Sequence, residues 1–328
     1  TGLSACCWSP VNATTLTIYD AKRRLLMPAL PKPRWLENLA YFVTLFALSV
    51  FRLLPLQTAR LLGGGMGRLA YYLNHKSRRI THINLRLAFP EKDPKEKRAL
   101  AARRFQEIGK FVAELGHLWL RPWPSMSHLI TVEGRELITT SECGGPGCIV
   151  LIPHLGNWEV MSLYLASEYN LVALYKPIRF SRLDNFVRSG REKAGARLVP
   201  VGGRGVTEIL RAVRSGGVTA ILPDQVPANE SSGLNVPFFG IKCATATLPF
   251  KLKEKSAAKV VLGAALRTKN GFNLIFRDLD TIMSNGPAEA LTGINRAIEE
   301  SIVGNEAQYL WEYKRFKCRP AGEVDHYG

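Results

Sequence analysis

His154 and Glu159 stand five residues apart in Pro153-His-Leu-Gly-Asn-Trp-Glu159. A neutral imidazole can take a proton from a hydroxyl near neutral pH. A carboxylate on its other ring nitrogen would fix the tautomer and stabilise the imidazolium that forms. That is the base-and-orienter half of a triad, and it needs no protein nucleophile when the substrate supplies the alcohol oxygen. The chain has six histidines, so this spacing also arises by chance. The competing reading is a histidine that caps the following helix, with Glu159 on a solvated face.

The surrounding pattern says how such a pair would be held. Ile149 to Ile152 is a short β-branched and apolar run, the mark of a buried strand, and Pro153 ends it. Gly156 and Asn157 suit a turn or helix start, and Glu159 to Leu165 reads as helix. His154 should therefore emerge at the carboxyl end of a strand, where open α/β folds place ligands. Val218 to Leu222 is a second strand, followed by Pro223-Asp224-Gln225. It repeats the logic of the first and should lie beside it. Leu171 to Tyr175 is a third, running into Lys176-Pro177-Ile178-Arg179. Val260 to Leu266 and Phe272 to Arg277 read as a hairpin around Asn270-Gly271.

Among the helices, Asp93-Pro94 makes a good start. Ala101, Phe105, Ile108, Val112, Leu115 and Trp119 then form one apolar stripe, either core or the wall of an acyl pocket. The opposite face carries Lys97, Arg98, Arg103, Arg104 and Lys110, solvated or resting on anionic headgroups. Val206, Ile209, Leu210 and Val213 mark a short amphipathic helix, and Pro287 to Val303 a closing one.

The 328 residues can bury a substantial core, and the 46% hydrophobic content is globular. A net charge of +17 implies acidic partners: nucleic acid, anionic lipid or an acidic protein. The six cysteines include no C-x-x-C pair, which points to reduced thiols rather than a disulfide frame or zinc site. Residues 1–34 read as an irregular leader without a secretory cleavage site. Leu39 to Phe51 is an uncharged apolar run, shorter than the roughly 20 residues that usually span a bilayer. It is a membrane anchor, an interfacial helix or a core helix. Gly63-Gly64-Gly65 is expected to break the helix that follows and lacks the Gly-Lys-Ser/Thr of a phosphate loop.

His-Leu-Gly-Asn-Trp-Glu after an apolar strand resembles the central motif of the late acyltransferases of lipid A biosynthesis. These are the lauroyl and myristoyl transferases of the lysophospholipid acyltransferase superfamily. Further blocks follow in the family's order: Asn84-Leu85 with Phe89-Pro90-Glu91, Asp224 through Gly233 to Val236-Pro-Phe-Phe-Gly240, and Trp311 to Pro320 with its basic pair and Phe-Lys. Lys176 departs from the family's usual Tyr-Arg-Pro. It keeps the charge and loses the bidentate fork.

The resemblance implies an α/β fold, a central mixed sheet flanked by helices as in glycerolipid acyltransferases. It implies an acyltransferase domain over residues 76–328 behind a membrane-associating helical segment over residues 35–75. It also implies transfer of a fatty acyl chain from acyl carrier protein to a hydroxyl of a phosphorylated, Kdo-bearing lipid A precursor. The place would be the cytoplasmic face of the bacterial inner membrane, in contact with its lipids. His154 would be the base and Glu159 its orienter. Arg191, Lys176, Asn157, Asp224, Gln225, Lys314 and Arg315 would meet substrate, with Arg191 or backbone donors on the oxyanion. Phe238 and Phe239 would line an acyl channel or fill the core. No metal or cofactor is needed. The aromatic and basic alternation at Trp311–Lys317 could suit nucleic acid, but no nucleic-acid module frames it. Two alternatives stay open: the same chemistry on another glycolipid or a lysophospholipid, and a non-catalytic lipid-binding relative.

Overall fold

The computed structural model describes residues 34–140, 145–320 and 322–328. The leader expected over residues 1–34 lies outside them except for Arg34, as do Cys6, Cys7 and Cys143. The described cysteines, Cys148, Cys243 and Cys318, are free thiols.

Five short strands come first: β1 (Ile130–Glu133), β2 (Cys148–Leu151), β3 (Leu171–Tyr175), β4 (Arg197–Pro200) and β5 (Val218–Ile221). A separate antiparallel hairpin, β6 (Gly233–Phe238) with β7 (Ile241–Ala246), precedes β8 (Lys259–Arg267) and β9 (Phe272–Asp278). Among the described residues, seven strands form one sheet in the order β1-β9-β8-β2-β5-β3-β4. Neighbours are parallel except β8 and β9, which turn back at the expected Asn270-Gly271. The sheet is therefore mixed, as the sequence suggests.

The longer helices are α1 (Arg34–Leu53), α2 (Leu56–Leu73), α3 (His75–Ala88), α4 (Pro94–Leu120), α5 (Trp158–Glu168), α6 (Ser181–Glu192), α7 (Gly203–Arg214), α8 (Leu248–Ser256) and α9 (Pro287–Ile302). Crossovers α5, α6 and α7 join β2, β3, β4 and β5 in turn. Helices on both faces of the sheet explain why β2 and β5 read as continuous apolar runs. All four residues of each are buried.

Helix α4 starts where the sequence places it. The Asp93 carboxylate accepts from the backbone N–H of Lys95 and Glu96 at 2.6 and 2.8 Å, and Glu96 accepts from Asp93 N–H at 3.0 Å. This reciprocal cap satisfies N–H groups that have no partner inside the helix.

Gly63-Gly64-Gly65 does not break α2, which runs through all three. Packing overrides propensity here. A Cβ on Gly109 of α4 would lie 1.8 Å from the Gly63 carbonyl oxygen, and one on Gly67 would lie 2.0 Å from that of Phe105. The two helices meet backbone to backbone, which only glycine permits. Gly65 has nothing within 4 Å of its Cβ position. Gly109→Ala should therefore destabilise by about 1–3 kcal/mol or more through overpacking. Gly65→Ala should stabilise by about 0.5–1 kcal/mol through helix propensity. Thermal unfolding of both variants checks this, and equal effects would refute a close seam.

Helix α1 is long and apolar enough to cross a membrane over the 19 residues Trp35–Leu53, with 11% of its apolar window buried. Trp35, Phe42, Phe46 and Leu53 point away from the protein, and α2 adds exposed Leu61, Leu62, Met66, Leu69 and Leu73. Pro55 separates the two helices.

Candidate active site

Strands β2 and β5 are hydrogen-bonded neighbours in register, with Leu151 opposite Ile221. Three residues beyond each of these lie His154 and Asp224. Equal offsets from paired strand ends bring the two side chains together, as the repeated strand-end pattern suggests. His154 Nδ1 is 2.7 Å from Asp224 Oδ1, and the His154 backbone N–H donates to Asp224 Oδ2 at 2.8 Å.

Asp224 is 2% exposed. Burial alone would raise its carboxyl, but the facing imidazole and the hydrogen bonds from His154 hold it below the usual value. Tyr309 closes this side. Burial pushes its phenol well up, and the Asp224 carboxylate beside it adds to the effect, so Tyr309 keeps its proton. A carboxylate can only accept, so the ring proton sits on Nδ1 and Nε2 keeps its lone pair. The Gln225 amide Nε2 lies 3.2 Å from that nitrogen. Trp158 stands edge-on to the imidazole at 4.9 Å between centroids and stacks on Phe111 of α4 at 4.3 Å.

Glu159, the expected orienter, is engaged elsewhere. It begins the first turn of α5, which directs its carboxylate toward α6 and α4. Arg191 donates to it at 2.5, 3.0 and 3.1 Å, and Trp119 Nε1 at 3.4 Å. The carboxylate on the imidazole is thus that of Asp224. Arg191, expected on an oxyanion or phosphate, spends its Nε and Nη2 on Glu159. Its guanidinium also lies over the Tyr175 ring at 5.7 Å.

The turn between His154 and α5 is held from beneath. Gly156 has φ +66°, and a Cβ there would meet the Ala265 carbonyl oxygen at 1.9 Å. Asn157 is fully buried, and its N–H donates to that same oxygen at 2.8 Å. Its side-chain Nδ2 donates to Glu114 Oε2 of α4 at 2.7 Å. Asn157 is thus a support of the turn.

Glu114 is the residue that sequence reasoning missed. It has no exposed side-chain surface and accepts from Arg60 Nε at 2.6 Å and from Arg267 Nε and Nη2 at 2.5 and 2.7 Å. Arg60 carries this network to the carbonyls of Thr268 and Gly271 at 2.8 and 2.9 Å. A signal was present: in Phe111–Leu120, Glu114 is the one acidic or permanently charged residue in an otherwise apolar stretch. The expected stripe on α4 is partly right. Ala101 and Phe105 are core, but Val112 is exposed, and Arg104 of the basic face is buried against Glu312 at 2.7 Å.

The remaining candidates separate. Phe238 is fully buried against Tyr309 and Phe316, and the half-buried Phe239 packs on Phe89 and Trp311, so both pack with the core. Arg315 is 3% exposed and clamps β7 through Ala244 O at 2.6 Å and Thr245 Oγ1 at 2.8 Å. Lys314 lies over the Tyr327 ring, and Lys176 is exposed. None of these five joins His154. An apolar hollow of about 340 Å³ lies between α2 and α4, lined by Phe51, Met66, Ala70, Phe105, Ile108 and Val112.

Residues 27–318 match the family described as bacterial lipid A biosynthesis acyltransferase. The chain is 26% identical over 294 residues to the lipid A biosynthesis lauroyltransferase of Escherichia coli K12, covering 88% of this chain and 95% of that protein. It is 25% identical to the palmitoleoyltransferase of the same strain over 293 residues, with the same coverage. To that strain's myristoyltransferase it is 25% identical over 266 residues, covering 80% of this chain and 82% of the other.

Proposed function

The chain belongs to the bacterial lipid A biosynthesis acyltransferase family, and from that premise we propose that it moves a fatty acyl chain from acyl carrier protein to a hydroxyl of a Kdo-lipid IVA-type precursor. The acyltransferase reaction class and its place in lipid A biosynthesis come with the family. The donor, the acceptor and the mechanism are our reading.

The observation that carries the mechanism is the contact of His154 Nδ1 with Asp224. With Nδ1–H given to Asp224, Nε2 can take the acceptor's hydroxyl proton. Gln225 yields its place on Nε2 to that hydroxyl. The alkoxide then attacks the thioester carbonyl, the carbon–sulfur bond breaks, and the imidazolium returns the proton to the departing thiolate. Asp224 stabilises the imidazolium in between. Glu159 acts at one remove, through Arg191 and the first turn of α5. Backbone N–H groups, or Gln225 once displaced, would meet the oxyanion.

Three further features support a lipid substrate at the cytoplasmic face of the inner membrane. The outward sides of α1 and α2 offer a continuous apolar surface, suited to lying in or crossing a bilayer. The hollow between α2 and α4 is apolar enough for an acyl chain. The +17 charge favours an acidic carrier protein and an anionic leaflet.

The test is acyl transfer by the purified protein from lauroyl-, myristoyl- and palmitoleoyl-carrier protein to a tetra-acylated lipid A precursor, read by mass spectrometry. Gain of one acyl mass is expected. Transfer only from coenzyme A thioesters would replace the donor, and transfer only to a lysophospholipid would replace the acceptor. No transfer with any pairing would favour a lipid-binding relative.

A further inference from the structure

On the other side of the Arg60–Glu114–Arg267 network lies a cleft of about 520 Å³ between the start of α2, the basic side of α4 and the loop after β8. Its floor is electrically balanced: Arg60 and Arg267 face Glu114 and Glu107. At the rim, Glu306 is answered by Lys92 at 3.7 Å, and Lys110 shares Glu107 with Arg267. That leaves Arg103 and Lys269, both exposed and both lining the cleft, in no ion pair among the described residues. With Lys110 they give the mouth a surplus of positive charge over a floor that is already neutral.

The wall of the same cleft is Leu61, which is 75% exposed and continues the outward apolar surface of α2. A cation-rich mouth where an apolar surface ends matches the place where a lipid's phosphate meets its chains. We propose that this cleft binds the phosphate of a lipid, with Arg103 and Lys269 as its principal cations and the lipid's chains lying along Leu61. A guanidinium and an ammonium lining one cleft suit a phosphate oxygen cluster better than a lone carboxylate. The phosphate could sit on a bilayer phospholipid or on the acceptor. The acceptor case rests on the function proposed above, and the bilayer case does not.

The experiment compares wild type with the double variant Arg103→Gln/Lys269→Gln and the charge-keeping swap Arg103→Lys/Lys269→Arg. The first arm reads cosedimentation with phosphatidylcholine vesicles containing phosphatidic acid or charge-matched oleate, and needs no turnover. The second reads KM and kcat for phosphorylated and dephosphorylated acceptor. A bilayer site predicts that the double variant loses about tenfold in binding to phosphatidic acid vesicles and much less to oleate vesicles. An acceptor site predicts a KM raised by about tenfold for the phosphorylated acceptor alone, at unchanged kcat. Either result is restored in part by the swap. Equal losses on both vesicle types, or no change in either arm, overturn the proposal. Absence of acyl transfer with intact phosphatidic acid selectivity would count against the proposed reaction and leave the cleft standing.

Discussion

Asp224→Asn should lower turnover by roughly 10³–10⁴-fold with the fold intact. The asparagine would keep the shape of the site, but its NH2 facing Nδ1 would move the ring proton to Nε2. The nitrogen that must accept the acceptor's proton would then carry one. His154→Ala, which removes the proposed base, should cost at least as much. Glu159→Gln should cost less, on the order of tenfold to a hundredfold, because the His154–Asp224 pair survives and only the grip on Arg191 weakens. Single-turnover acyl transfer by the three variants separates these contributions, with circular dichroism to verify folding. A mild Asp224→Asn beside a severe Glu159→Gln would return the orienting role to Glu159. Asp224 is held below the usual carboxyl value of 3.8, so it stays charged across any practical assay and its own titration does not shape the activity profile.

Glu114→Ala should destabilise the protein by about 3–5 kcal/mol. It strands Arg60 in the interior without its carboxylate and leaves Arg267 with Glu107 alone. In a chain of this size that is a fall in Tm on the order of 10 °C. Burial works to raise the Glu114 carboxyl, but Arg267, Arg60 and the Asn157 amide outweigh it and hold it below the ordinary 4.5. A folded-state value below the unfolded one means stability that is complete above the unfolded value and is lost as pH falls through the folded one. The gap between wild type and Glu114→Ala should thus be widest near neutral pH and narrow below about 4.5. Denaturant unfolding across that range reads the gap directly. A constant gap would mean that lost packing, not charge, sets the cost. Activity should fall with stability, since the same carboxylate holds Asn157.

The elements that position the site are local, and local pattern reveals them. The apolar run before His154, the second run before Asp224, the Asp93 cap and the Asn270-Gly271 hairpin all sit where the sequence puts them. What pattern could not reveal is pairing at long range. Asp224 lies 70 residues from His154, and Glu114 lies 43 from Asn157. The five-residue spacing to Glu159 drew attention because it is short, yet helix direction turns that carboxylate away. Arg315, Phe238 and Phe239 belong to motifs that pack the segment around Trp311 and β7 instead of touching the base. Residue type gave no means to tell these two uses of one motif apart. The triple glycine misled for a related reason: its effect depends on Gly109, on a helix not adjacent in sequence.

Helices that meet through glycine have no side chains to repack, so they cannot slide past one another by a fraction of a turn as leucine-lined helices do. α2 is thereby cast in one piece with the sheet that carries His154. A bilayer that grips the outward side of α1 and α2 would hold the imidazole at one height above its surface. Reach from bilayer to base becomes a constant of the backbone. On the proposed reaction it would act as a gauge, against which an acceptor hydroxyl would be too deep or too shallow by the number of methylenes beneath it.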